Sequence, residues 1–560
     1  MRREVSVVNK KVCSFPILLA LLALLIGTCA VVFPASAQAA PTSTGSITVS
    51  GTVASSYDAY QIFSANVVDG DNDAKIATDL AWASDDVCDA ALPVLHSAGM
   101  PKSQTTAQEA AEWLNADSHL TSALSAQLAR SLQSSGAVPV ALNAGTTAEL
   151  PCGYWLIVAD DDAIAQDQAG TAPIMALVGG GAVTVKPKAA TPRVAKHVLE
   201  DGTAAWQKAA DATVGDDLYW RLSATVPAGL SAYDAYTVQF VDTMGAGLDP
   251  SRVAASMRVY AAAGAEGGFD AVACEGGDAN STPAKGWTDI TSQCNVSVEG
   301  NAFTVRTGDL IAALGGADAF AAGARVVAVY DAPLNGACNH GIAKGNPNEV
   351  YLRYPRSPLA DQSGDAGFTR TPSDDACAYT WDLALTKRGS DGDKPLPGAV
   401  LSITDDRGRT LSADGTWDAE SKATVTTGED GRVTVSGVDS GKLEVRERKA
   451  PKGYTAFKGT RSVTVKADGL DVKQVAAAKP KLTITAESPL RADSADGSTG
   501  SLEASLINTP TGTPPSIFTG GFMPSTGDMA MYAAAAVAVV GAALIVVALL
   551  VKRGGGSHKE

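Results

Sequence analysis

Histidine and aromatic side chains are scarce in this 560-residue chain: there are five His, and Phe, Trp and Tyr together make up 6%. His96, His119, His197 and His340 are scattered with no evident Ser, Cys or metal partner, and no CxxC or HxxxH spacing occurs. These absences argue against a hydrolase and against a zinc site, so neither a metal nor another cofactor is expected. Asp69-Gly70-Asp71-Asn72-Asp73 imitates the start of a calcium loop, but Leu80 stands where the bidentate Glu belongs, and a solvated turn is the better reading. Basic residues are outnumbered, 44 Lys+Arg against 60 Asp+Glu, for a net charge of −16. Such a surface repels a phosphate backbone, so no nucleic-acid partner is expected.

Long apolar runs occur only at the two ends. Arg2, Arg3, Lys10 and Lys11 precede an apolar stretch from Val12 to Phe33, and Ala35-Ser36-Ala37 or Ala37-Gln38-Ala39 then offers small residues to a signal peptidase. Residues 1–40 read as a signal peptide. At the other end Met529 to Val551 is long enough to cross a hydrocarbon core of roughly 30 Å as one transmembrane helix, with Lys552 and Arg553 holding the tail on the cytoplasmic side. An exported chain with an even set of cysteines suggests disulfides. Six remain beyond the signal, and of the fifteen pairings domain membership favours Cys88 with Cys152, Cys274 with Cys294, and Cys338 with Cys377.

Between the ends the chain is too long for one core. Short alternating runs rich in Thr, Val, Ala and Gly predict mainly β structure in tandem immunoglobulin-like sandwiches. A first module, residues 41–187, carries helix-like insertions around Ala107–Leu114 and Leu120–Leu132. The Pro-bounded joint Lys186–Pro192 leads into a middle module, residues 188–378, whose strands end near Pro358 before a polar stretch. A third module spans residues 379–510, and residues 511–560 hold a linker, the apolar run and the tail.

Strand residues two apart share a face, so neighbours at that spacing tell whether a side chain enters the core. In the third module Lys387 keeps company with Leu383 and Leu385, Glu447 with Leu443 and Val445, and Asn508 with Leu502, Ala504 and Leu506. The middle module repeats the arrangement: Lys196 lies between Val194 and Val198, Asp242 follows Val238 and Phe240, and Asn348 precedes Val350 and Leu352. In each, Lys is placed on the first strand and Asn on the last. Burial favours the neutral amine and the neutral acid. A neutral Lys can attack a nearby Asn amide, expel ammonia and leave a Lys–Asn isopeptide bond, with the acid polarising the amide. Such single-turnover self-modification does not make the chain an enzyme. In the first module Lys75 is poorly placed and no acid box is found, so no crosslink is expected there.

Leu443–Tyr454, reading LEVRERKAPKGY, resembles the acid-bearing box of Cna B-type domains, and Ile507-Asn508-Thr509-Pro510 is similar to their terminal Asn strand. Arg446 and Arg448 replace commoner neutral residues, but parity points both outward. Val194–Val198, Val241–Met244 and Gly345–Val350 resemble the isopeptide-forming domain of major fimbrial subunits, of the Cna A kind, with Asn346 a rival to Asn348. Met523-Pro524-Ser525-Thr526-Gly527 before the apolar run is similar to an LPxTG-type sorting signal, which implies sortase cleavage between Thr526 and Gly527. Val183–Lys188 resembles the pilin motif VxVYPK, with Lys188 at the acceptor position and Lys186 where Tyr is usual.

From end to end the chain thus resembles a Gram-positive Spa-type major, or backbone, pilin. The resemblance implies a structural shaft subunit whose Thr526 is joined by a pilin-class sortase to Lys188 of another copy. Internal crosslinks Lys196–Asn348 and Lys387–Asn508, promoted by Asp242 and Glu447, would stabilise it. Implied partners are minor pilins, peptidoglycan and a host receptor, and the implied location is a wall-anchored surface fimbria supporting adhesion, reached through a membrane-bound precursor. The alternative is a minor pilin or a monomeric wall-anchored adhesin. The absence of an Asp-x-Ser-x-Ser metal-dependent adhesion signature weakens that alternative.

Overall fold

The computed structural model describes residues 43–70, 74–116, 118–188, 191–264 and 283–512. The expected signal peptide, the calcium-like turn from Asp71 to Asp73, Cys274, the Met523–Gly527 motif and the apolar run lie outside these residues. No helix among the described residues is long and apolar enough to cross a membrane.

In the first part of the chain a five-stranded sheet is built around Ser56–Asp69 and Gly153–Ala159. Period-2 alternation sends neighbouring side chains to opposite layers. Trp155, Ile157 and Ala159 face a small sheet formed by Thr44–Val49, Thr147–Pro151 and Val183–Val185, while Leu156 and Val158 face three helices. Ala107–Asn115 and Ser122–Gln133 are the two helices expected from sequence. A third, Asp85–Ser97, was not foreseen because Pro93 interrupts its pattern. It is specified instead by Ser84, whose side chain caps Val87 N, and by Asp85 and Asp86 in the first turn. The helices therefore form a layer over the sheet, with Val87, Ala91, Leu95, Leu128 and Leu132 packed on Tyr60, Ile62 and Phe63.

The middle part is a two-sheet sandwich. One sheet runs, in order, 205–207, 193–200, 219–226, 324–331, 258–263 and 288–289. The other has the order 209–211, 374–379, 346–355, 239–244, 302–306 and 295–299, with 368–370 added against 346–355. Their inner faces share one core that includes Trp220, Leu222, Phe240, Phe303, Val326, Tyr330, Val350 and Leu352. The Asn348 strand is consequently not the last of its sandwich: the polar stretch after Pro358 folds back as Phe368–Arg370 and Asp374–Tyr379 to pair with it. Those segments are short and lack a period-2 pattern, and their strand character comes from pairing with the neighbouring strand.

The third part pairs its first strand, Trp381–Gly389, in parallel with Ser501–Pro510, so that Lys387 is level with Leu506 and Gly389 with Asn508. The facing sheet holds Val400–Thr404, Gly441–Lys449 and Arg461–Asp468 side by side. Leu383, Leu385, Ile403, Val445, Val463, Leu502 and Leu506 fill the space between the sheets.

The middle and third parts meet through a polar joint. Trp381 Nε1 donates to Asp211 Oδ2 at 2.6 Å, and Ser440 donates to the same oxygen through its backbone N at 3.0 Å. Arg407 and Arg409 reach across to Asp216, each at 2.7 Å, and Arg407 also pairs with Asp201. Glu200 accepts from Asp211 N at 3.1 Å, and burial, reinforced by the Asp211 charge, pushes its carboxyl up to about 8. Asp211 and Asp439 are raised as well, chiefly by burial. A carboxyl raised in the folded state holds a proton that the unfolded chain has lost, so its contribution is complete below about 4.5 and is lost as pH rises through about 8. The calorimetric unfolding temperature should therefore fall between pH 5 and pH 9, and Glu200→Gln should flatten that dependence.

Candidate functional site: two buried lysines

Lys196 lies on the strand Arg193–Glu200 and is fully buried, as are Asp242 on Gln239–Met244 and Asn348 on Asn346–Pro355. Asp242 and Asn348 sit on paired neighbouring strands, where Asp242 is level with Val350 and Met244 with Asn348. Lys196 comes from the facing sheet. Its Nζ pairs directly with Asp242 Oδ2 and lies 5.6 Å from the centre of the Trp220 ring. Tyr330, also from the Lys196 sheet, takes hydrogen bonds from Lys196 Nζ and Asn348 Nδ2, both at 2.9 Å, and donates to Asp242 Oδ2 at 3.1 Å. Asp242 Oδ1 and Asn348 Oδ1 are buried without a hydrogen-bond donor.

Removal from water dominates the electrostatics of this cluster. Burial pushes the Lys196 amine down to about 8, against the opposing pull of the Asp242 carboxylate. Burial also raises the Asp242 carboxyl, against the pull of Lys196. Both shifts favour the neutral amine and neutral acid that nucleophilic attack requires.

The third part assembles the second set from different strands. Lys387 and Asn508 lie on the parallel pair described above, and Glu447 reaches in from Gly441–Lys449 in the facing sheet. All three are buried. Lys387 Nζ donates to Leu506 O at 3.0 Å and is 3.8 Å from Glu447 Oε1. Asn508 Nδ2 contacts the two Glu447 oxygens at 2.8 and 3.1 Å, and Phe457 N holds Glu447 Oε2 at 3.0 Å. Asn508 Oδ1 has no donor. Burial pushes the Lys387 amine down to about 8, with the Glu447 charge opposing. Arg446 and Arg448 are exposed, as strand parity required.

Asn346, the rival to Asn348, is equally buried but fully occupied. Its Oδ1 accepts from Asn339 N at 2.8 Å, and its Nδ2 donates to Asn339 O at 2.9 Å and Ala378 O at 3.2 Å. It ties the loop before its strand to the neighbouring strand. Tyr330 was missed by sequence reasoning, since every residue of Ala324–Asp331 is buried and alternation there carries no signal. One cue was available: the phenol that follows the apolar run Val326–Val329 needs a polar partner in the core.

In the first part no Lys, Asp, Glu or Asn is buried among the described residues. Lys75 is partly exposed and spends its amine on the carbonyls of Gly179 and Gly181 and on Asp69. Lys186 and Lys188 are exposed just beyond Val183–Val185, whose Val185 is buried. The expected disulfides are not formed: Cys88, Cys152, Cys294, Cys338 and Cys377 are all free. Cys88 stands on the Asp85–Ser97 helix while the Cys152 thiol packs beside Gly179. Cys377 is buried in the third core, whereas the half-buried Cys338 directs its thiol at His340 Nε2, 3.6 Å away. Shared domain membership did not place these thiols in bonding pairs. Cys274, the expected partner of Cys294, lies outside the described residues.

Residues 382–479 match the SpaA prealbumin-like fold domain family, a range that includes Lys387 and Glu447. The chain is 30% identical over 129 residues to the trypsin-resistant surface T6 protein of Streptococcus pyogenes serotype M6, an alignment covering 22% of each protein. Among solved structures, the T6 backbone pilin of serotype M6 Streptococcus pyogenes aligns over 85% of this chain and 100% of its own, with a TM-score of 0.46 and 17% identity. The full-length major pilin SpaD of Corynebacterium diphtheriae aligns over 84% and 100%, with a TM-score of 0.40 and 15% identity. Residues 382–479 are thus a SpaA prealbumin-like domain, and the chain resembles the Spa-type backbone pilins of Gram-positive bacteria.

Proposed function

We propose that this chain is the shaft subunit of a covalent, sortase-assembled surface pilus, supporting adhesion. Two separate cores each bury one Lys, one acid and one Asn in mutual proximity, and that repetition carries the reading. A buried charged pair is a poor source of stability. Conversion to Lys196–Asn348 and Lys387–Asn508 amides would replace both pairs with neutral covalent ties. Asp242 and Glu447 would polarise the amide carbonyls and the chain would remain a structural protein, not an enzyme. A pilin-class sortase would then join Thr526 to Lys188 of another copy, with peptidoglycan, minor pilins and a host receptor as further partners.

The modules 41–187, 188–378 and 379–510 would follow one another along the shaft, after removal of residues 1–40 and of everything beyond Thr526. The test is the intact mass of residues 41–526 after full reduction. A deficit of about 34 Da, two ammonia losses, is expected. Asp242→Ala, Glu447→Ala and Asn348→Ala should each regain about 17 Da, while Asn346→Ala should keep the whole deficit. A wild-type mass equal to that of the uncrosslinked sequence would remove this reading.

A further inference from the structure

The two lysine sites also differ in how a proton could travel between the nitrogens. In the third part the acid touches Asn508 directly, and among the described residues the other partners of the set are the backbone groups Leu506 O and Phe457 N. In the middle part a single oxygen, the Tyr330 hydroxyl, touches all three members. It accepts twice and donates once, which is the full capacity of a phenol. Its ring is fixed edge-on to Phe303, with centroids 4.8 Å apart at 74°, and the residue has no exposed surface.

Attack of an amine on an amide requires more than one proton movement. The attacking nitrogen must shed a proton, and the amide nitrogen must gain one, because an amide anion does not leave. Asp242 can serve the carbonyl: Asp242 Oδ1 and Asn348 Oδ1 are both acceptors without a donor, and a proton on the carboxyl supplies one. That leaves the two nitrogens, each 2.9 Å from the same hydroxyl.

We propose that Tyr330 is a catalytic residue of the middle crosslink, carrying a proton from Lys196 Nζ to Asn348 Nδ2; this rests on the crosslinking function proposed above. The neutral Lys196 amine bonds to Asn348 Cγ while the Asp242 carboxyl protonates Asn348 Oδ1. The new C–N centre gives one proton to Tyr330 Oη, which passes its own proton to Nδ2. The Cγ–Nδ2 bond breaks, ammonia departs, and the carbonyl returns its proton to Asp242. The phenol and the acid are regenerated, and the only change is one amide bond gained and one ammonia lost. Burial holds the phenol well above its ordinary range, so it takes up and releases a proton together rather than ionising.

The experiment is time-resolved intact and peptide mass of the full chain, synthesised in a cell-free system with detergent. Tyr330→Phe removes one oxygen and keeps the ring against Phe303. The Lys196–Asn348 linkage should form at least about 100-fold more slowly in this variant, the usual scale of a lost acid–base group. Lys387–Asn508 should form at the wild-type rate in the same molecules. Both linkages forming at the wild-type rate would overturn the proposal. If the Phe variant yields no protease-resistant core, 3,5-difluorotyrosine at position 330 retains shape and hydroxyl while acidifying the phenol. A changed rate for the middle linkage alone then supports the shuttle, and an unchanged rate overturns it. Absence of the middle linkage from wild-type protein would instead remove the crosslinking reading itself.

Discussion

Lys387→Met is expected to lower the unfolding temperature of the third sandwich by about 15–25 °C. Methionine nearly matches the volume of the lysine stem and introduces no charge, so the packing among Leu385, Leu506 and their neighbours is largely retained. What disappears is the proposed tie to Asn508. Joining residues 121 positions apart restricts the unfolded chain by about 5 kcal/mol on the loop-entropy model, a large share of the stability of an ordinary domain. Glu447→Ala should melt lower still, because it also strands the Lys387 ammonium in the core without its carboxylate. Differential scanning calorimetry on residues 41–526 reads both values. A Met variant that melts with wild type would show that no covalent constraint operates there.

Lys188→Ala should abolish polymer formation altogether. An acceptor amine must reach a sortase-bound acyl group, which the buried Lys196 and Lys387 cannot do. Lys186 and Lys188 both lie exposed after Val185, and they differ only in position relative to Pro187. When purified protein is incubated with a pilin-class sortase, wild type and Lys186→Ala should give a ladder of covalent multimers on denaturing gels. Lys188→Ala should remain monomeric. A ladder lost only with Lys186→Ala would move the linkage to that residue.

Strand parity was sufficient to place Lys196, Lys387, Asp242, Glu447, Asn348 and Asn508 inside, since each lies on a strand with apolar neighbours two residues away. Parity reports burial, however, and not contact. It could not separate Asn346 from Asn348, both inward and both buried, because the distinction lies in the Asn339 loop that occupies the former. It could not find Tyr330, whose strand is buried on both faces. The Asp85–Ser97 helix was hidden by Pro93 and betrayed only by its cap, and Asp374–Tyr379 becomes a strand through pairing with Asn346–Pro355. The cysteine pairings failed for a related reason: shared domain membership assigns partners without knowing which surfaces their thiols occupy.

Together with the proposed Lys387–Asn508 bond, the parallel pairing of Trp381–Gly389 with Ser501–Pro510 would also fix how far this protein can stretch. Parallel neighbours place the entering and leaving chain at opposite ends of the sandwich, so a pull along the fibre loads the two strands in shear. With Lys387 joined to Asn508, the 120 residues between them are a closed loop off the line of force. At roughly 3.5 Å per residue that loop stores about 400 Å of slack that tension cannot release. Each such subunit would behave as a cable of nearly fixed length and would not lengthen to dissipate a sudden load as an unfolding spring does.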